Sequence, residues 1–121
     1  MRTSRLELLH IALATATAGL PLVGRTQTLD TAKILTGFAA GGTVDTLARR
    51  VAAHMNGSYA KAVVVDTRTG AGGQIAITAL KTSPADGSVL LVTPMSMLGI
   101  YPHTYKKLPY DPVADLAPVS L

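Results

Sequence analysis

Lys33-Ile34-Leu35-Thr36-Gly37-Phe38-Ala39-Ala40-Gly41-Gly42-Thr43-Val44-Asp45-Thr46-Leu47-Ala48-Arg49 changes its hydrophobic period once, and that change decides the fold. Lys33–Thr36 reads as a short strand and Gly37–Gly42 as a loop of small residues. From Thr43 onward Val44, Leu47, Ala48, Val51, Ala52 and Met55 recur at helical spacing. One face of this helix is therefore expected to be apolar and packed inward. Thr43 is expected as its N-cap, Asp45 as a first-turn charge that suits the helix dipole, and Asn56-Gly57 as its stop, with His54 near that end.

Downstream the same plan repeats. Ala62–Asp66 reads as a strand, Thr67–Gly73 as a loop and Gln74–Lys81 as a short helix ended by Ser83-Pro84. Asp86-Gly87 turns the chain into Val89–Thr93, whose nearly unbroken apolar run predicts burial on both faces. Strand, loop and helix in alternation predict an α/β fold with a mostly parallel sheet flanked by helices. Beyond Pro94 the prolines at 102, 109, 112 and 118 separate irregular pieces, and Pro118–Leu121 reads as the start of another strand.

Upstream, Arg2 and Arg5 precede the apolar run Ile11–Val23 and a polar exit at 24–28, the layout of a secretory signal peptide. The run of about 13 residues is shorter than the roughly 20 that a permanent membrane helix needs. Residues 1–28 are thus expected to direct export and residues 29–121 to form the body.

The 121 residues carry a formal charge of +4, with 48% hydrophobic and 15% charged side chains and no cysteine. Disulfides, thiolate metal sites and cysteine nucleophiles are excluded. After residue 28 eight basic residues face six acidic ones, a balance of +2 on an ordinary solvated surface rather than a phosphate-binding stripe, so no nucleic-acid partner is expected.

Chemistry concentrates in the two glycine joints, Gly41-Gly42 and Gly70-Ala71-Gly72-Gly73, each where a strand hands over to a helix. Unpaired backbone N–H groups and the positive end of the helix dipole converge at such places, and ligands of open α/β sheets gather at that edge. The alternative is that the glycines only make tight turns. Ile75 stands where a dinucleotide fingerprint needs its last glycine, and neither loop is followed by a Gly-Lys-Ser/Thr motif, which disfavours nucleotides. A carboxylate needs no lysine there. Arg68 is either a bidentate contact for it or a structural pin for the loop. His10, His54 and His103 lie far apart, no metal spacing occurs, and Ser96 lacks an evident base. The pattern is that of a binding protein, with no enzyme activity and no cofactor expected. A phosphate-using enzyme domain is the competing class.

These residues resemble the Bug-type substrate-binding proteins of tripartite tricarboxylate transporters. Phe38–Arg49 is similar to the family's first-loop signature and Val63–Gly73 to its second loop. Pro84-Ala85-Asp86-Gly87, the segment Tyr105-Lys106-Lys107-Leu108-Pro109-Tyr110-Asp111-Pro112, then Asp115 and Ala117–Leu121, match further family segments. The resemblance implies a periplasmic, two-lobed clamshell of the type II periplasmic-binding-protein kind, monomeric at full length. It would close on a small carboxylate and deliver it to a membrane permease. It implies a ligand-binding set of Phe38, Ala39, Ala40, Gly41, Gly42, Thr43 and Asp45 from the first loop, Ala71, Gly72 and Gly73 from the second, and Thr93 and Ser96 after the third strand. The sequence departs from the family at Ala40, where many relatives have Pro, at Thr67, where Asn is usual, and at Ala60, where a Gly is usual. Family members are much longer, so residues 29–121 are expected to be the amino-terminal part of lobe 1, with a truncated remnant as the alternative reading.

Overall fold

A computed structural model describes residues 29–120; the expected export segment and Leu121 lie outside them. Three strands, β1 (Leu29–Thr36), β2 (Ala60–Thr67) and β3 (Val89–Val92), form one parallel sheet in the order β2-β1-β3. Helix α1 (Thr43–Met55) joins β1 to β2. A single 3₁₀ turn (Ala71–Gly73) and helix α2 (Gln74–Lys81) join β2 to β3. Two one-turn helices, α3 (Ser96–Gly99) and α4 (Tyr101–Thr104), occupy the stretch expected to be irregular. The parallel α/β expectation is met.

The topology places the helices. β2 and β3 flank β1 on opposite sides, so the two crossovers run in opposite directions, and the right hand usual for parallel connections then sets α1 and α2 on opposite faces, as their separate clusters reflect. On the first face Ala48 and Ala52 of α1 pack against Ala32, Ile34, Ala60 and Val63. On the other, Ile77 of α2 packs with Met97 and Tyr110, flanked by Phe38, Leu91, Tyr101, Leu108 and Leu116. Alternation along β1 sends Ile34 to one face and Leu35 to the other, and both are buried. Removing the Ile34 side chain to Ala would cost about 2–5 kcal/mol by the usual cavity rule.

The distal segment is tied to this second layer. Tyr110 donates its hydroxyl to the Met97 carbonyl, and Lys81 donates to the Pro109 carbonyl at 3.0 Å while pairing with Asp115 at 2.6 Å. The Asp111 carboxylate accepts the N–H groups of Val113 and Ala114, turning the chain back on itself.

Several local expectations are corrected. β1 begins at Leu29 rather than Lys33, and β2 runs from Ala60 to Thr67, because parallel pairing extends from Leu29–Ala60 to Thr36–Thr67. All four residues of β3 are half-buried rather than enclosed, because β1 is the strand's sole ladder partner among the described residues. The N-cap of α1 is Gly42, with extended backbone and no side-chain cap, and Thr43 is the first helical residue. The buried stripe of α1 is Asp45-Ala48-Ala52, and Leu47 faces outward with 53% exposure. Pro118–Ser120 form no strand.

Candidate functional site

Thr36, Thr67 and Val92 end their strands level with one another, because Thr36 is in register with both of the others. The loops that follow all emerge at the carboxyl edge of the sheet. In this strand order the chain direction switches between β1 and β3, the place where open α/β sheets bind ligands.

The first loop, residues 37–42, is built around Asp45. Asp45 is 2% exposed, and its Oδ2 accepts both the Gly41 N–H and Arg49 Nε–H, each at 2.9 Å. The Thr67 hydroxyl makes a longer 3.5 Å contact to Oδ1, so the substitution for the family's usual Asn still links β2 to this loop. The Arg49 guanidinium and the Gly41 N–H hold the Asp45 carboxyl below the usual carboxylate range, and partial desolvation opposes them. Asp45, expected among the ligand-binding residues, is thus spent on fixing the loop from inside.

Of the other expected residues in this loop, Ala39, Ala40, Gly41, Gly42 and Thr43 are exposed at the edge. The Gly42 N–H is already donated to the Ala39 carbonyl. The first helical N–H groups of α1, at Thr43 and Val44, have no intrahelical acceptor. Phe38 is half-buried, its ring lying over Gly73 and against the Ile77–Met97–Tyr110 cluster.

The second loop has Ala71 and Gly72 exposed and Gly73 buried. Gly73 donates its N–H to the Gly70 carbonyl at 2.9 Å. It sits at φ +91°, and a Cβ there would lie 2.9 Å from Met97 Sδ and 3.1 Å from Phe38 Cε2. Gly73 is therefore a packing glycine, whereas Ala71 and Gly72, at the start of the 3₁₀ turn, are exposed. Tyr101 donates its hydroxyl to the Gly72 carbonyl at 3.1 Å. Arg68 forks onto Asp66 through Nε and Nη2 and donates its main-chain N–H to the Thr36 carbonyl. Its guanidinium is thereby engaged within its own strand end.

After β3, the Thr93 hydroxyl turns toward Met97 Sδ at 2.9 Å, and Ser96 opens α3 half-buried. The three-loop edge is an open surface. Two shallow depressions of about 440 and 430 Å³ lie beside α1, the second lined by Gly41, Thr43, Thr46, Leu47 and Arg50, and neither includes a residue of the second loop. Among the described residues no group of three or more His, Asp or Glu is placed to hold a metal, and no helix is long and apolar enough to cross a membrane.

Sequence reasoning missed Gly37 and Tyr101. Gly37 is buried, and a Cβ on it would stand 2.6 Å from Gly73 Cα, so the two loops touch through bare backbone. Its only sequence signal was a glycine directly after a strand. Tyr101 lies 29 residues from the carbonyl it binds, a separation no local pattern reveals.

The BugT protein of Bordetella pertussis is 34% identical over 120 residues, covering 98% of this chain and 37% of BugT. A UPF0065 protein of Bordetella bronchiseptica is 39% identical over 88 residues, 73% of this chain and 26% of that protein. A solved structure described as a periplasmic transporter is similar with TM-score 0.63 and 32% identity, over 69% of this chain and 28% of its own. The chain thus spans about a quarter to somewhat over a third of these relatives' lengths. The family model described as tripartite tricarboxylate transporter family receptor matches residues 47–121, from α1 through the second loop to the distal segment. On these matches the chain belongs to the tripartite tricarboxylate transporter receptor family.

Proposed function

We propose that this chain is the amino-terminal part of the first lobe of an exported, periplasmic solute receptor that binds small carboxylates and hands them to a membrane permease. The observation that carries the reading is the direct backbone contact of Gly37 with Gly73. It holds two loops at one sheet edge, each running into a helical turn whose first N–H groups, at Thr43 and Val44 on one side and Ala71 and Gly72 on the other, are the donors this reading assigns to the ligand.

Backbone donors at a helix start suit a carboxylate, which carries its own charge and accepts several hydrogen bonds without requiring a lysine. The first loop is held rigid by Asp45 and Arg49, so its donors are arranged before a ligand arrives. The open edge is one wall of a cleft, and a facing lobe would supply the enclosure that tight binding needs. Binding and release without bond making fits the family and the absence of a nucleophile–base pair in the sequence.

The test is an amide NMR titration of the chain with citrate and, separately, with inorganic phosphate. Citrate should shift the amides of Ala40, Thr43, Ala71 and Gly72 together, weakly because one wall is present, and phosphate should not. Shifts confined to one loop, or a preference for phosphate, would reject the carboxylate reading.

A further inference from the structure

The chain has four tyrosines and no tryptophan, and three of the four phenol hydroxyls are committed to backbone carbonyls. Tyr59 donates to Gly87, Tyr101 to Gly72 and Tyr110 to Met97. Tyr105 has no hydrogen-bond acceptor among the described residues and is 43% exposed. Its ring stacks at a tilt on Tyr101, with centroids 4.7 Å apart. Both phenols converge on the tip of the second loop: the Oη atoms of Tyr101 and Tyr105 lie 3.1 and 3.3 Å from the point where a Cβ on Gly72 would stand.

We infer that Tyr105 is a ligand-binding residue of the candidate carboxylate site and that Tyr101 is a positioning residue for it. This deepens the receptor function proposed above and rests on it. The peptide unit between Gly72 and Gly73 is held at both ends, its carbonyl by Tyr101 and its N–H by the Gly70 carbonyl. That leaves the Gly72 N–H, on the other side of a glycine at φ +64°, directed by a fixed neighbour. A carboxylate resting on the Ala71 and Gly72 N–H groups would have the Tyr105 hydroxyl alongside. A phenol is a neutral donor whose own ionisation lies near pH 10, so it adds a hydrogen bond to the anion without adding charge. The absence of a Cβ on Gly72 is what lets both hydroxyls approach the loop.

The experiment compares the wild-type chain with Tyr105→Phe, Tyr101→Phe and, as a control, Tyr59→Phe at the opposite edge of the sheet, using citrate as the probe and amide NMR as the readout. Tyr105→Phe should weaken citrate binding about tenfold while leaving the ligand-free Gly72 and Gly73 amides in place. Tyr101→Phe should weaken binding and also displace those two amides in the absence of ligand, and Tyr59→Phe should change neither. Unchanged citrate affinity in Tyr105→Phe, or a Gly72 amide already displaced there without ligand, overturns the binding role while the receptor reading stands. An unmoved Gly72 amide in Tyr101→Phe overturns the positioning role. A wild-type chain whose loop amides ignore citrate overturns both the inference and the receptor reading.

Discussion

Gly37 and Gly73 touch through their backbones: a Cβ placed on Gly37 would lie 2.6 Å from Gly73 Cα and 2.7 Å from its carbonyl oxygen. Neither neighbour is a side chain that can swing away. Gly37→Ala should therefore push the two loops apart and destabilise the chain by about 1–3 kcal/mol, the usual range for overpacking. Urea unfolding at an unchanged m-value measures it. Gly99→Ala is the control, since nothing lies within 4 Å of a Cβ there and the residue is helical. Equal effects at the two positions would show that contact between the loops is not what Gly37 provides.

At Gly72 the backbone is left-handed, φ +64°, and two phenol oxygens crowd the missing side chain. Gly72→Val should cost about 1–3 kcal/mol in backbone strain and abolish the citrate-dependent shifts of the Ala71 amide. Unchanged citrate affinity in that variant would remove the second loop from the site.

Asp45 sets an acid limit on the first loop. Its folded carboxyl ionises below the ordinary carboxylate range because of Arg49 and the Gly41 N–H, so on acidification the unfolded chain takes up this proton first. The stabilisation is complete above the unfolded carboxyl value near pH 4 and is lost as pH falls through the lower folded value. Asp111, held down by the Ala114 and Val113 N–H groups, and Asp115, held down by Lys81, act in the same direction. The exposed Asp30–Lys61 pair should add little, because solvent screens it. Melting temperature against pH should fall below about pH 4. Asp45→Asn should melt lower at neutral pH and lose less on acidification. An acid slope equal to that of the wild type would dismiss Asp45 as the loop's fixing group.

Tyr110 is 5% exposed, and its hydroxyl meets the carbonyl of the fully buried Met97. Burial, with Tyr101 and Tyr105 nearby, pushes its phenol above the ordinary tyrosine value. Tyr110→Phe keeps the ring and removes the donor, which should cost about 1–3 kcal/mol by leaving a buried carbonyl unsatisfied. A urea midpoint equal to that of the wild type would show that the carbonyl finds another donor.

The sheet was legible because its signals are local. A period change at Gly37 and a second glycine joint at Gly70 announce strand, loop and helix, and α2 occupies the residues its pattern predicts, Gln74–Lys81. That β3 pairs with β1 alone among the described residues was not legible. Val89–Val92 is apolar throughout, and an apolar run looks the same whether one neighbour or two will pair with it. Thr43 has the side chain an N-cap favours, yet the helix starts one residue earlier in the chain's path, with Gly42 as an N-cap that carries no side chain, while Asp45 in the first turn accepts the Gly41 N–H and so ties the loop to the helix rather than capping it. Leu47 was expected inward, but the close approach of α1 to the sheet goes through Ala48 and Ala52, which turns Leu47 outward.

By itself the sequence determined the α/β alternation, the two glycine loops and the family motifs, because period, turn chemistry and motif spacing operate over a few residues. Only the tertiary structure decided what the loop residues do. It turned Asp45 inward as a brace, made Gly73 a packing position beneath Phe38, and brought Tyr101 and Tyr105 to Gly72 across some thirty residues of chain. Those roles depend on the parallel register that ends β1, β2 and β3 level, and register is a property of strands meeting in space.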